Sequence, residues 1–110
     1  MAAYEIGDVV LVHFPFREDP QQTKPRPAII IDKDGVPTFV LVQITSTNRS
    51  DKLKGKWVPK DSKAGKSMGL LCDSFVNYEN VVRLSSLYII RKIGNCSFVE
   101  EIKSNKNKAA

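Results

Sequence analysis

Apolar residues along this chain gather in short runs rich in β-branched and aromatic side chains, with polar stretches carrying glycine and proline between them. The run Val9-Val10-Leu11-Val12-His13-Phe14 follows a Gly7-Asp8 pair, and Ala28-Ile29-Ile30-Ile31 is a compact apolar block suited to a buried strand. Strands are predicted at about 8–14, 27–32, 37–46, 56–59, 74–83 and 87–93. Asp34-Gly35 supplies a two-residue turn signal between the second and third of these. Residues 47–55 and 60–69, the latter with Gly65 and Gly69, read as polar loops. One helix is expected near the end. Ser97-Phe98-Val99-Glu100 fits a capping box, Phe98, Val99 and Ile102 supply an apolar face, and the polar residues 104–110 read as a frayed tail. The expected fold is mostly β: short strands forming a small curved antiparallel barrel, with one short C-terminal helix.

A chain of 110 residues supports one domain with a single core, so 1–110 is read as one unit. No apolar run approaches the ~18 residues of a membrane span, and the first residues lack the basic-then-apolar order of a signal peptide. Cys72 and Cys96 have neither CxxC spacing nor a histidine nearby, which fits free thiols in a reducing cytoplasm. One histidine, two distant cysteines and scattered acids make no metal constellation, and no cofactor motif is present. Charge changes the picture more. Residues 49–66 hold seven basic side chains against Asp51 and Asp61, which accounts for the whole formal net charge of +5. Such concentration suits a polyanion ligand, and equally a solvated loop that keeps the protein soluble.

Arg26 stands between Pro25 and Pro27 at the mouth of the second strand. Both rings fix their own φ, and Pro27 disfavours helix at Arg26, so the scaffold aims the guanidinium. That suits bidentate phosphate recognition; the competing reading pairs Arg26 with Glu18 or Asp19. Thr45 ends the third strand, where a hydroxyl can emerge at a rim, though threonine is also simply a good strand residue. Trp57 among Lys54, Lys56 and Lys60, together with Tyr78, offers surfaces on which unpaired bases could stack, or else core. His13 would be the reflex choice of base, but it lies mid-strand and reads as structural.

The order G-D-V-V-x-V-x-F-P-F, a polar loop and R-P-A resembles the MazF/PemK family of toxin endoribonucleases. Leu41-Val42-Gln43-Ile44-Thr45-Ser46, Asp73-Ser74-Phe75-Val76 and Leu87 to Gly94 agree with it, so the resemblance spans roughly residues 5 to 103. It implies an SH3-like barrel, usually a twofold homodimer, in a cytoplasmic toxin that cuts single-stranded RNA without a metal. Arg26 and Thr45 match the family's catalytic arginine and strand-end threonine. Glu79 lies near a catalytic acid of part of the family, but Asn77 stands where that subgroup has arginine; Arg83 is a possible substitute charge. The resemblance places Phe16, Gln21, Lys24, Ser46 and Asn77 beside the RNA. The basic loop adds Arg49, Lys52, Lys54, Lys56 and Trp57. It also implies an acidic antitoxin that covers the groove and binds DNA with the toxin. The alternative on the same barrel is a non-catalytic binder, either a gyrase-poison-like toxin or a degenerate member.

Overall fold

The computed structural model describes residues 4–13, 25–33, 35, 38–46 and 54–108. Its elements are β1 (Asp8–Val12), β2 (Arg26–Lys33), β3 (Thr38–Thr45), β4 (Gly55–Val58), α1 (Lys63–Met68), β5 (Ser74–Ser85), β6 (Ile89–Asn95) and α2 (Val99–Lys108). All six strands pair antiparallel in one sheet of order β4-β5-β3-β2-β1-β6. The protein is mostly β, as the apolar runs imply.

Both faces of the central strands are buried. On one face Ile29, Ile31, Val40, Val42 and Ile44 meet Phe98, Val99 and Ile102 of the C-terminal segment. On the other, Val10, Val12, Ala28, Ile30, Phe39 and Leu41 meet Leu84 and Ile89. Double burial explains the near-continuous apolar runs of β2 and β3, where a sheet with one wet face would alternate. The β3–β5 register jumps between Val42↔Val81 and Ile44↔Val76, so residues 77–80 bulge out of the ladder and β5 bends there. This bend lets one long strand pair with β3 along its length and with β4 only at its start.

Two expectations are corrected. Residues 60–69 are not all loop: Lys63–Met68 is a helix of six residues. Its sequence has no amphipathic period, and its ends hold it instead. Ser62 Oγ accepts from the Gly65 N–H at 3.0 Å, and Gly69, at φ 72°, closes the helix with its N–H on the Gly65 and Lys66 carbonyls. Met68, fully buried, then anchors it. The tail is the second correction: helix continues to Lys108, well past the apolar face at Phe98, Val99 and Ile102. The last predicted strand also starts later, because Ser86–Tyr88 forms a 3₁₀ turn capped by Ser85.

Candidate functional site

Antiparallel pairing brings the end of one strand to the start of its neighbour, and that builds the site. Arg26 is the first residue of β2 and Thr45 the last of β3. The ladder pairs Ala28 with Gln43 and Ile29 with Val42, so two residues further on, Arg26 and Thr45 stand level. Arg26 in turn faces Val12 of β1, Thr45 faces Phe75 of β5, and Phe75 faces Trp57 of β4. Directly paired residues project from the same face of a sheet. Trp57, Phe75, Thr45, Arg26 and Val12 therefore form one transverse row across five strands.

A groove of about 460 Å³ opens at this strand end, lined by Pro25, Arg26, Pro27, Ile44, Thr45, Ser46, Cys72 and Ser74. Arg26 and Thr45 are half-buried, Ser46 is exposed, and the Arg26 Nε atom lies out of solvent. Pro25 and Pro27 flank Arg26 in the lining of the groove. Ser74 is buried and its hydroxyl donates to the Cys72 carbonyl at 2.9 Å, fixing the turn that forms the opposite wall. Cys72 itself is exposed. The sequence marks Cys72 only as a free thiol and Ser74 only as part of the Asp73–Val76 resemblance, and gives neither a place in the site. They reach the groove because β5 pairs with the end of β3.

The other candidates fall in several places. Trp57 is half-buried in the transverse row but does not line the groove. Lys56, one residue away on the opposite face, is turned toward α2: its Nζ lies 3.7 Å from a Glu101 carboxylate oxygen and 4.6 Å from the centre of the Phe98 ring. Lys54 is exposed, and its carbonyl accepts from the Tyr78 N–H at 3.1 Å. Asn77 and Glu79 sit in the bulged stretch of β5. The Asn77 side-chain oxygen accepts from the Glu79 N–H at 3.0 Å, and the exposed Glu79 carboxylate forms no ion pair among the described residues. Arg83 pairs with Val40, five residues from Thr45 along β3 and roughly 17 Å away by strand rise. Phe16, Gln21, Lys24, Arg49 and Lys52 lie outside the described residues.

Tyr78 is core, not a platform. It is buried, and its hydroxyl donates to the Glu101 carboxylate, so burial first and that carboxylate second push the phenol pKa well above the ordinary range. His13 departs from the expectation in the other direction. It follows Val12, which faces Arg26, so it lies at the groove's end of the sheet and not remote from it. It is exposed, and its backbone N–H donates to the Tyr88 carbonyl at 2.9 Å. Among the described residues no group of three or more His, Cys, Asp or Glu side chains is placed to hold a metal ion. No described helix is long and apolar enough to cross a membrane.

A search of curated proteins returns no match. Among solved structures, the Mycobacterium tuberculosis toxin MazF-mt6 superimposes with a TM-score of 0.63 at 18% identity, covering 89% of each chain. At that identity the likeness speaks for the fold. The sequence profile described as "PemK-like, MazF-like toxin of type II toxin-antitoxin system" matches residues 5–104. That span takes in every described strand, both walls of the groove and most of α2, and on it the chain belongs to the MazF-like, PemK-like toxins of type II toxin–antitoxin systems.

Proposed function

We propose that this toxin is an endoribonuclease that cuts single-stranded RNA at the Arg26–Thr45 groove without a metal ion. One observation carries the reading: a proline-held arginine and a strand-end threonine stand level on adjoining strands and line the same groove. In the reaction the ribose 2′-oxygen attacks the adjacent phosphorus and the P–O5′ bond breaks. The products are a 2′,3′-cyclic phosphate and a free 5′-hydroxyl. The 2′ proton leaves to a base, and the departing 5′-oxygen takes up a proton. Negative charge grows on the non-bridging oxygens in the transition state, and the Arg26 guanidinium answers it with fixed N–H donors. The Thr45 hydroxyl orients the phosphate or the 2′-hydroxyl; at its ordinary acidity it is no base. The partners proposed with this reading are an acidic antitoxin segment over the same groove and a second copy of the chain.

The test is digestion of a long single-stranded RNA in EDTA, with end-group analysis of the fragments. Discrete fragments with cyclic phosphate and 5′-hydroxyl ends are expected from the wild type. Arg26→Ala should lower the rate by about 100- to 1,000-fold, the loss typical of removing one transition-state donor. Arg26→Ala that is folded and still cuts at the wild-type rate would remove the assignment. Intact RNA with folded wild-type protein would favour a binding-only toxin.

A further inference from the structure

Gln43 is a buried polar residue in the middle of an apolar strand. It lies in β3 directly opposite Ala28 of β2, while its neighbours Val42 and Ile44 face the cluster under α2. Gln43's own face of β3 runs Leu41, Gln43, Thr45, and the matching face of β2 runs Ile30, Ala28, Arg26. Leu41, Ile30 and Ala28 belong to the second apolar cluster, whereas Arg26 and Thr45 line the groove. Gln43 therefore stands at the boundary, one rung inside the Arg26–Thr45 rung and on the same face as both. It is 9% exposed, and its side chain forms no hydrogen bond among the described residues. On its other side Gln43 faces the bulged residues 77–80 of β5. Two N–H groups there already have acceptors: that of Tyr78 donates to the Lys54 carbonyl and that of Glu79 to the Asn77 side chain. Ala28, across the ladder, has no polar side-chain group. A buried amide left unpaired is costly, so one that faces a reaction site points to a partner brought by the ligand.

We infer that Gln43 is a third residue of the reaction site, its side-chain N–H donating to a non-bridging oxygen of the scissile phosphate. The inference rests on the nuclease reading. Arg26 lies on the diagonal from Gln43 across the β2–β3 ladder, a separation of about 7–8 Å that long side chains span. A phosphate held by Arg26 and Thr45 brings acceptor oxygens into that interval. Glutamine is neutral and takes no proton, so its part is to donate. Set in a dry wall, that bond strengthens as charge grows on the phosphate oxygens in the transition state.

The test is cleavage of a long single-stranded RNA by Gln43→Met and Gln43→Glu in EDTA at pH 8, with thermal melts of the same proteins. Methionine keeps the length of the side chain and removes both polar groups. Gln43→Met should cut about 100-fold more slowly at saturating RNA, with KM within about threefold, the pattern of a lost transition-state donor. Its Tm should equal or exceed that of the wild type, because an unpaired amide leaves an apolar setting. A packing role would not slow cutting while sparing stability. Gln43→Glu keeps the shape, but its carboxylate only accepts, so it should cut at least as slowly. Gln43→Met cutting within about twofold of a wild type that cuts RNA would overturn the assignment, as would a Gln43→Glu that keeps the wild-type rate. A Tm lowered by more than about 5 °C in Gln43→Met would show the amide satisfied within the fold, which also overturns it. Intact RNA with folded wild-type protein would instead overturn the nuclease reading, and this one with it.

Discussion

Replacing Tyr78 by phenylalanine probes how α2 is held to the sheet while leaving the ring in place. Tyr78 is buried in the bent part of β5, and its hydroxyl donates to Glu101 in the first turn of α2. The same carboxylate lies 3.7 Å from Lys56, whose ammonium rests on the Phe98 ring. Hydrogen bonds to charged groups contribute about 1.5–3 kcal/mol, and the Glu101 side chain is 53% exposed, so water recovers part of the loss. Tyr78→Phe leaves no buried donor stranded, and Lys56 still faces the carboxylate. The expected cost is therefore about 1–2 kcal/mol at pH 7, read by urea denaturation, or about 4–8 °C in Tm for each kcal/mol. The pH dependence follows from the raised phenol pKa. Below its ordinary value of 10.0 the contribution of the neutral phenol is fully present, and it is lost as pH rises beyond that value. The gap between wild type and variant should thus narrow in alkaline buffer. A cost under about 0.5 kcal/mol at pH 7, or a gap that stays constant above pH 10, would refute the reasoning.

Three further outcomes are expected. In Gly94→Ala the new Cβ would meet the Ser67 and Met68 carbonyl oxygens at 2.5 Å, forcing α1 off β6; the overpacking costs about 1–3 kcal/mol and moves the Gly69–Cys72 wall. RNA cleavage measured well below Tm should fall with it, and full activity would separate α1 from the site. The Cys96 thiol, pushed up to about 11 from 9.0 by burial, makes a contribution that is whole below pH 9 and lost as pH rises through 11. Wild-type stability should fall by up to about 3 kcal/mol across that window, and Cys96→Ala should flatten this part of the curve. Ile102→Ala empties a fully buried position between α2 and the sheet and should cost about 2–5 kcal/mol; a loss near zero in urea denaturation would mean that α2 is not part of the cooperative core.

Much of this protein can be read from local chemistry alone. Runs of β-branched residues at Val9–Val12, Ala28–Ile31 and Phe39–Ile44 have few low-energy options besides buried strand, and their positions agree with β1, β2 and β3 to within a residue or two. Pro25-Arg26-Pro27 marks a restricted backbone around Arg26, because proline geometry acts through adjacent bonds only. Helix α1 escaped because its stability lies in two caps and one buried methionine, where periodicity has nothing to report. What depended on the tertiary structure is which separated residues meet. Strand order and register decide that Arg26 stands level with Thr45, that His13 lies at the groove's end of the sheet, and that Lys56 turns toward α2. The bulge at 77–80 shifts Glu79 out of the ladder, and the pairing of β5 with the end of β3 carries Cys72 and Ser74 to the groove. Local sequence sets what each segment prefers to be. A site made across strands comes from long-range pairing, whose register follows from burying both faces of one sheet at once.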